Sequence, residues 1–423
     1  MKILIEPDRA QWPALCQRPQ LETDFLDGTV RNILTRVKQS GDAALREFNL
    51  QFDKVKMTNL LVPQAEITEA TESITDELKA AIKQAAQNIQ KFHAAQKREV
   101  SKIETLPGVV CWRKAVPIQK VGIYVPGGSA PLFSTVLMLA IPAALAGCEE
   151  VVLCTPPDKQ GKINPAILFA AQITGVKKIF KVGGAQAIAA MAYGTESIPQ
   201  VSKIFGPGNQ YVTKAKQLVN TEGLAIDMPA GPSEVLVLAD NSANPVHVAA
   251  DLLSQAEHGG DSQVVLVASE KKLVDEVINH IQQQLERLPR KSIAQEALRN
   301  SLGIVLESAQ SQIDFINQYA PEHLILNSSG CDVIADQIVN AGSIFLGPYS
   351  PESVGDYASG TNHTLPTAGY AKAYGGVSLE SFTKYITIQK LSPTGLANIA
   401  NTVIAMAEAE QLQGHANAVK VRL

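Results

Sequence analysis

From Gln119 onward the chain alternates apolar strands, glycine-rich turns and helices, and that rhythm restricts it to βαβ architecture with largely parallel sheets. Predicted strand 121–125 leads to Pro126-Gly127-Gly128-Ser129, and strand 151–153 ends at Pro156-Pro157 before a helix over 166–173. Strand 179–182 meets Gly183-Gly184-Ala185-Gln186, and Ile204-Phe205 meets Gly206-Pro207-Gly208-Asn209. A second run opens at 234–238 and continues through strands at 264–267, 304–306, 323–326 and 343–346. The pattern predicts two Rossmann-like parallel-sheet α/β domains in series, with small N- and C-terminal helical extensions.

Three glycine clusters each follow a strand and open a helix, where bare backbone N–H groups can meet an anionic ligand. None completes G-x-G-x-x-G, because position 211 is tyrosine, so a nucleotide is indicated without the usual dinucleotide fingerprint.

Outside the repeats, residues up to about 110 read as mainly helical. Ile74, Leu78, Ile82, Ala85, Ile89 and Phe92 form one apolar stripe, and His93 beside it belongs to packing or surface. At the other end Ser392 and Pro393 open a helix that runs through Ile399, Val403, Met406 and Leu412 to a stop at Gly414. That tail is too small to hold a core, so it must dock on the rest of the chain or on a second subunit.

A chain of 423 residues exceeds one core and is expected to form two or three domains. The net charge of −4 gives no basic footprint for nucleic acid. Five cysteines, odd in number and without a CxxC, suit reduced thiols. The first residues lack a signal peptide's apolar stretch, and the longest apolar run, 135–147, is shorter than the roughly 20 residues of a membrane span. A soluble cytoplasmic enzyme is expected.

Four of the seven histidines fall in short polar segments that also hold acids or amides. Imidazole suits both proton transfer near neutral pH and zinc ligation. Gln255 and His258 share a helix face and could ligate one ion, or His258 could cap the helix before Gly259-Gly260. Pro321-Glu322-His323 sets an acid beside a base at a strand entry. Neighbouring strand side chains point apart, so both reach one site only if the backbone there is irregular; otherwise Glu322 is surface and His323 half-buried. Asp356 sits in a small-residue loop and offers a hard ligand. His363 could be a turn residue, and His415 by default a helix cap. The cysteines, among them Cys111, Cys148 and Cys154, read as packing residues rather than nucleophiles.

Together these segments resemble the histidinol dehydrogenase family. The matching stretches are Val121 to Leu132, Gly206-Pro207-Gly208-Asn209, Asp227 to Glu234, Ser254-Gln255-Ala256-Glu257-His258, Ala320-Pro321-Glu322-His323-Leu324, Gly355-Asp356-Tyr357 and Gly360-Thr361-Asn362-His363. The resemblance implies NAD-dependent oxidation of L-histidinol to L-histidine through L-histidinaldehyde, with two NAD reduced, as the last step of histidine biosynthesis. It implies one zinc ion per subunit on Gln255, His258, Asp356 and His415, all of which then face the substrate, with Ser233, His323, His363 and Glu410 as further substrate contacts. His323 would be the general base and Glu322 would activate water, while Tyr124, Gln186 and Asn209 would contact NAD. It further implies a homodimer in which His415 and Glu410 serve the partner's site. The expected division is an extension over 1–20, a first α/β domain of 21–123 plus 234–377, a second on the NAD side over 124–233, and a helical tail over 378–423. Two other enzyme classes share parts of this pattern. A zinc hydrolase would need no NAD, and a thiol-dependent aldehyde dehydrogenase would depend on one cysteine. A nonenzymatic binding module would leave Glu322 and His323 without a joint use.

Overall fold

In the computed structural model, which describes residues 1–19, 24–127, 131–229 and 231–423, the two strand runs close as two separate sheets. One is five-stranded and parallel, in the order Lys178–Lys181, Glu150–Thr155, Lys120–Tyr124, Lys203–Phe205, Ala225–Ile226. The other is six-stranded and parallel, in the order Lys2–Ile5, Leu302–Val305, Gln263–Ala268, Glu234–Ala239, His323–Asn327, Ser343–Leu346. In each the chain builds outward to one side of an inner strand and then crosses to the other side. That reversal makes both units Rossmann-like and gives each sheet a topological switch point. Strands Glu234–Ala239 and Gln263–Ala268 are buried at every residue, as parallel strands covered on both faces must be. Gly128, Ser129, Ala130 and Ala230 of the motifs above, and the expected boundary between residues 20 and 21, lie outside the described residues.

Four features depart from the sequence-based division. Lys2–Ile5 is no loose extension but an edge strand in register with Leu302–Val305. The helices Asp24–Phe48 and Asp76–Ala94, expected to go with residues 234–377, pack on the five-stranded unit instead. Val30, Leu34 and Leu45 share a core with Ala187, Ile188 and Leu218, and Ile82 and Ile89 share one with Val136 and Leu139. His93 is buried there, with Phe92 rather than His93 facing out.

The third departure is an antiparallel sheet of Ile103–Leu106, Val109–Pro117 and Thr383–Leu391, where helix or tail was expected. Its strands are mostly exposed and mix charged with apolar residues, so no clean period-2 signal marks them. Fourth, the terminal helix Pro393–Ala409 stops not at Gly414 but at Gln411, which takes φ 60, and a second helix Gln413–Lys420 carries Gly414 and His415. The apolar run at 135–147 forms helix Phe133–Ala146, buried against the five-stranded sheet and helix Asp76–Ala94. Among the described residues no helix is long and apolar enough to cross a membrane.

The tail is fastened where two backbones touch. Gly108 turns the hairpin at φ 82, its carbonyl accepts from Ser392 N at 2.9 Å, and Ser392 Oγ caps Gly395 N at 3.0 Å. A Cβ at Gly395 would stand 2.1 Å from Gly108 O. Gly395→Ala should therefore cost about 1–3 kcal/mol of stability through overpacking. Hydrogen exchange should quicken in 109–117 and 383–391 while the two parallel sheets keep their protection. Unchanged exchange there would mean this contact does not hold the tail.

Candidate active site

Strands Glu234–Ala239 and His323–Asn327 lie side by side with His323 opposite Val235. The residues just ahead of that pairing are therefore forced together at the amino edge of the six-stranded sheet. Glu234 N donates to Glu322 Oε2 at 2.9 Å, and Glu322 N donates to Glu234 Oε1 at 3.3 Å. His323 Nδ1 lies 3.1 Å from the Glu234 carbonyl, and its Nε2 lies 3.4 Å from Asp356 Oδ1. A carbonyl only accepts, so Nδ1 carries the proton of that bond and Nε2 is the face left for chemistry. Glu322 Oε2 stands 3.6 Å from His323 Nδ1. The irregular backbone that this juxtaposition requires is present at Ala320, which closes helix Ala309–Tyr319 in the left-handed region at φ 54.

Other elements return to the same edge. Helix Pro245–Ala256 ends where strand Gln263–Ala268 must begin, so its last turn delivers Gln255. His258 stands in the turn beyond, its N–H bonded to Gln255 O at 3.2 Å. The short helix Glu352–Tyr357 supplies Asp356 and lies tight on Phe345, where a Cβ at Gly355 would come within 2.5 Å of the ring. Phe345 in turn stacks on His323. His363 Nδ1 reaches the Asp356 carbonyl at 2.9 Å, and its Nε2 meets Thr135 Oγ1 at 3.1 Å. Thr135 belongs to the helix that follows strand Lys120–Tyr124, so this bond joins the amino edge of one sheet to the carboxyl edge of the other. Ser233 sits part-buried just ahead of Glu234.

Burial and crowding of charge set the protonation states. Burial pushes the Glu322 carboxyl up to about 8, against the pull of His323. Burial works to lower His323, but the carboxylates of Glu322, Asp356 and Glu352 outweigh it and lift the imidazole well above its usual range. Asp356, despite burial, is held below the usual carboxylate range by the His323 imidazole beside it. His258 and His363 are lowered chiefly by burial, which keeps them neutral and able to ligate. Glu352, whose Oε1 accepts from Ser254 Oγ at 2.8 Å, is raised to about 7 by burial.

Among the described residues several buried polar atoms here have no hydrogen-bond partner: both amide atoms of Gln255, His323 Nε2 and Glu352 Oε2. Such atoms are costly in a finished core and ordinary in a site awaiting a ligand. Among the described residues no group of three or more His, Cys, Asp or Glu side chains is arranged to hold a metal ion. A cation here would rest on the Gln255 amide together with His258 and Asp356. The two other sequence candidates, Glu410 and His415, are exposed on the tail, and no described hydrogen bond or ion pair joins them to the cluster.

At the carboxyl edge of the five-stranded sheet stand Tyr124, Gln186 and Asn209. Tyr124 ends the central strand, and its hydroxyl accepts from Gly184 N at 3.1 Å. Gln186 is buried in the first turn of helix Gly184–Tyr193. Asn209 caps helix Gln210–Thr221, its Oδ1 accepting from Tyr211 N and Val212 N. Gly206 takes φ 124 beside Tyr124, where a Cβ would lie 2.0 Å from the Tyr124 carbonyl. The buried Lys216–Asp227 pair ties that turn down, with Gly206 N donating to Asp227 and Lys216 Nζ to Gly206 O. The three edge residues thus surround the switch point, where doubly wound sheets bind dinucleotides.

Sequence reasoning missed Glu234, Glu352, Thr135 and Arg18. Glu234 could have been noticed as a charge opening an otherwise apolar strand, and Glu352 as an acid one helical turn before Asp356. Of the cysteines, Cys16 and Cys148 are pushed up to about 11 by burial and Cys154 further still, away from the thiolate that a covalent mechanism needs.

Two Rossmann-like units with a buried acid–imidazole pair at their junction define an oxidoreductase of the dinucleotide-linked class. A family model described as histidinol dehydrogenase matches residues 16–423. A histidinol dehydrogenase from Bacteroides fragilis is 60% identical over 423 residues, covering 100% of this chain and 99% of its own. One from Vibrio parahaemolyticus is 52% identical, covering 98% of this chain and 96% of its own. The crystal structure of histidinol dehydrogenase from Elizabethkingia anophelis superposes with a TM-score of 0.98 at 55% identity, covering 100% of this chain and 98% of that one. The chain belongs to the histidinol dehydrogenase family.

The unpartnered amide gives a direct test of the site's purpose. Replacing Gln255 by methionine removes two unsatisfied buried atoms at similar volume. The metal-free protein should gain about 1 kcal/mol or more in urea denaturation. A loss of stability would mean that the amide is satisfied and structural.

Proposed function

We propose that this chain is an NAD-dependent enzyme that oxidises L-histidinol to L-histidine through L-histidinaldehyde, the last step of histidine biosynthesis in the cytoplasm. The observation that carries the reading is the unpartnered Nε2 of His323, held beside Glu322 and within reach of Asp356. The surrounding carboxylates hold His323 protonated, so it acts once Nε2 is deprotonated, taking the alcohol proton as hydride leaves the carbinol carbon for the nicotinamide of NAD and giving the aldehyde and one NADH. Glu322 then draws a proton from water as it adds to the aldehyde. His323 passes its first proton to the aldehyde oxygen, and the hydrate then loses a second hydride to a second NAD and a proton to the freed His323, giving the carboxylic acid, which ionises in solvent. A carboxyl raised by burial is the stronger base once ionised, which suits Glu322 to that task. Tyr124, Gln186 and Asn209 receive NAD, and Ser233, His363 and Glu410 contact the substrate.

Gln255, His258 and Asp356, with His415 of a second copy, would hold one zinc ion per subunit. The set is amide, imidazole and carboxylate without thiolate, and among the described residues the Gln255 amide has no hydrogen-bond partner. Zinc held there would supply a template that orients histidinol. His415 and Glu410 come from a second copy in a homodimer, since in one chain both sit exposed on the tail.

Adding histidinol and NAD should produce two NADH, read by absorbance, for each histidine formed. One NADH per turnover with aldehyde release would overturn the reading. Glu322→Gln should slow the second hydride transfer at least tenfold more than the first, seen as one fast and one slow equivalent in a single turnover. Equal slowing would assign the water to another group. Inactive His323→Ala and His415→Ala proteins, mixed and allowed to exchange subunits, should regain at most about half of wild-type activity, because one of two sites is then whole. No recovery, with heterodimer seen by native mass spectrometry, would place His415 in its own subunit's site.

A further inference from the structure

Arg18 takes no part in the reaction above, yet its guanidinium is bound from every side beneath the acid–base pair. Nε and Nη2 grip the Glu234 carboxylate at 2.6 and 2.7 Å. Nη2 also donates to the carbonyls of Tyr319 at 2.7 Å and Ala320 at 3.2 Å, and Nη1 to Cys16 O at 2.7 Å. Its plane lies over the Tyr319 ring, 3.6 Å from the centroid, and the Tyr319 hydroxyl is fixed by Gln263 Oε1 at 2.9 Å. The Arg18 and Glu234 side chains are 9% and 0% exposed.

Each of these partners bears on the active pair. Glu234 exchanges hydrogen bonds with Glu322 through both its side chain and its backbone, and its carbonyl holds His323 Nδ1. Tyr319 and Ala320 form the turn whose left-handed residue lets Glu322 and His323 address one site. An L-residue with a Cβ is strained in that conformation, so something must secure it. A planar fork with five donors can bind a carboxylate and neighbouring carbonyls at once, which an ammonium cannot. We propose that Arg18 is a positioning residue that clamps the Ala320 turn to Glu234 and thereby sets the geometry of Glu322 and His323.

The inference rests on the activity proposed above, and the experiment separates the two. Wild-type enzyme must first give two NADH per histidinol; if it does not, the functional reading fails and the clamp has no reaction to serve. Arg18→Met alone would strand a buried carboxylate, so it is combined with Glu234→Gln, which keeps an acceptor for Glu322 N. In the folded, zinc-loaded double variant kcat should fall at least tenfold, with KM for histidinol and zinc content within about threefold of wild type. Adding Ala320→Gly, which lowers the cost of the left-handed turn, should restore kcat at least threefold. Arg18→Lys, which keeps charge without the fork, should lose kcat in the same way and serves if the double variant does not fold. A folded variant with unchanged kcat, or a loss of KM and zinc together with kcat that Ala320→Gly does not relieve, would overturn the proposal.

Discussion

The exchange of hydrogen bonds between Glu234 and Glu322 is the constraint on which the rest of the site depends. It exists because two parallel strands, Glu234–Ala239 and His323–Asn327, run in register, so the residues that precede them meet at one edge. In a doubly wound sheet every crossover helix must bring the chain back to that amino edge before the next strand. The last turn of Pro245–Ala256 arrives there with Gln255, and the end of Ala309–Tyr319 with Ala320. Topology thus gathers residues separated by tens of positions without any long loop.

Ligands of open α/β sheets ordinarily sit at carboxyl edges. The proposed NAD contacts Tyr124, Gln186 and Asn209 lie at such an edge of the five-stranded sheet, whereas the acid–base pair occupies the amino edge of the other sheet. A hydride donor and its acceptor must nevertheless lie within contact distance. The bond from His363 to Thr135, with Asn362 Nδ2 donating to Met138 O at 2.7 Å, joins the polar segment after Asp356 to the helix above Tyr124. In the proposed function the two edges are complementary halves of one reaction centre. Its unpartnered Gln255, His323 and Glu352 atoms are the stability given up for function.

Much of this was legible in the sequence for a physical reason. Strands buried on both faces read as unbroken apolar runs, and the turns after 205 and 182 need glycine, so the strands of both parallel sheets were predicted except Lys2–Ile5 and Ala225–Ile226 at the sheet edges. Gln255, His258, Glu322, His323, Asp356 and His363 stood out because polar groups rarely interrupt such patterns. The antiparallel sheet was not legible, since Thr383–Leu391 carries lysines and isoleucines on a strand that is largely exposed. Nor was the stop at Gln411, a left-handed residue without glycine's signal. Arg18 acts through partners 216 to 302 positions away and Glu234 through Glu322, 88 away, and no local period can report such contacts.

The central claim is that the amino-edge cluster is a nitrogen- and oxygen-lined metal and substrate site, completed by a second copy of the chain. X-ray absorption at the zinc edge of the purified protein tests it most directly. The expected result is one zinc per subunit with a first shell of nitrogen and oxygen only, in which histidinol adds imidazole scattering and His258→Asn removes the metal. A sulfur shell, or zinc retained unchanged in His258→Asn, would contradict the account.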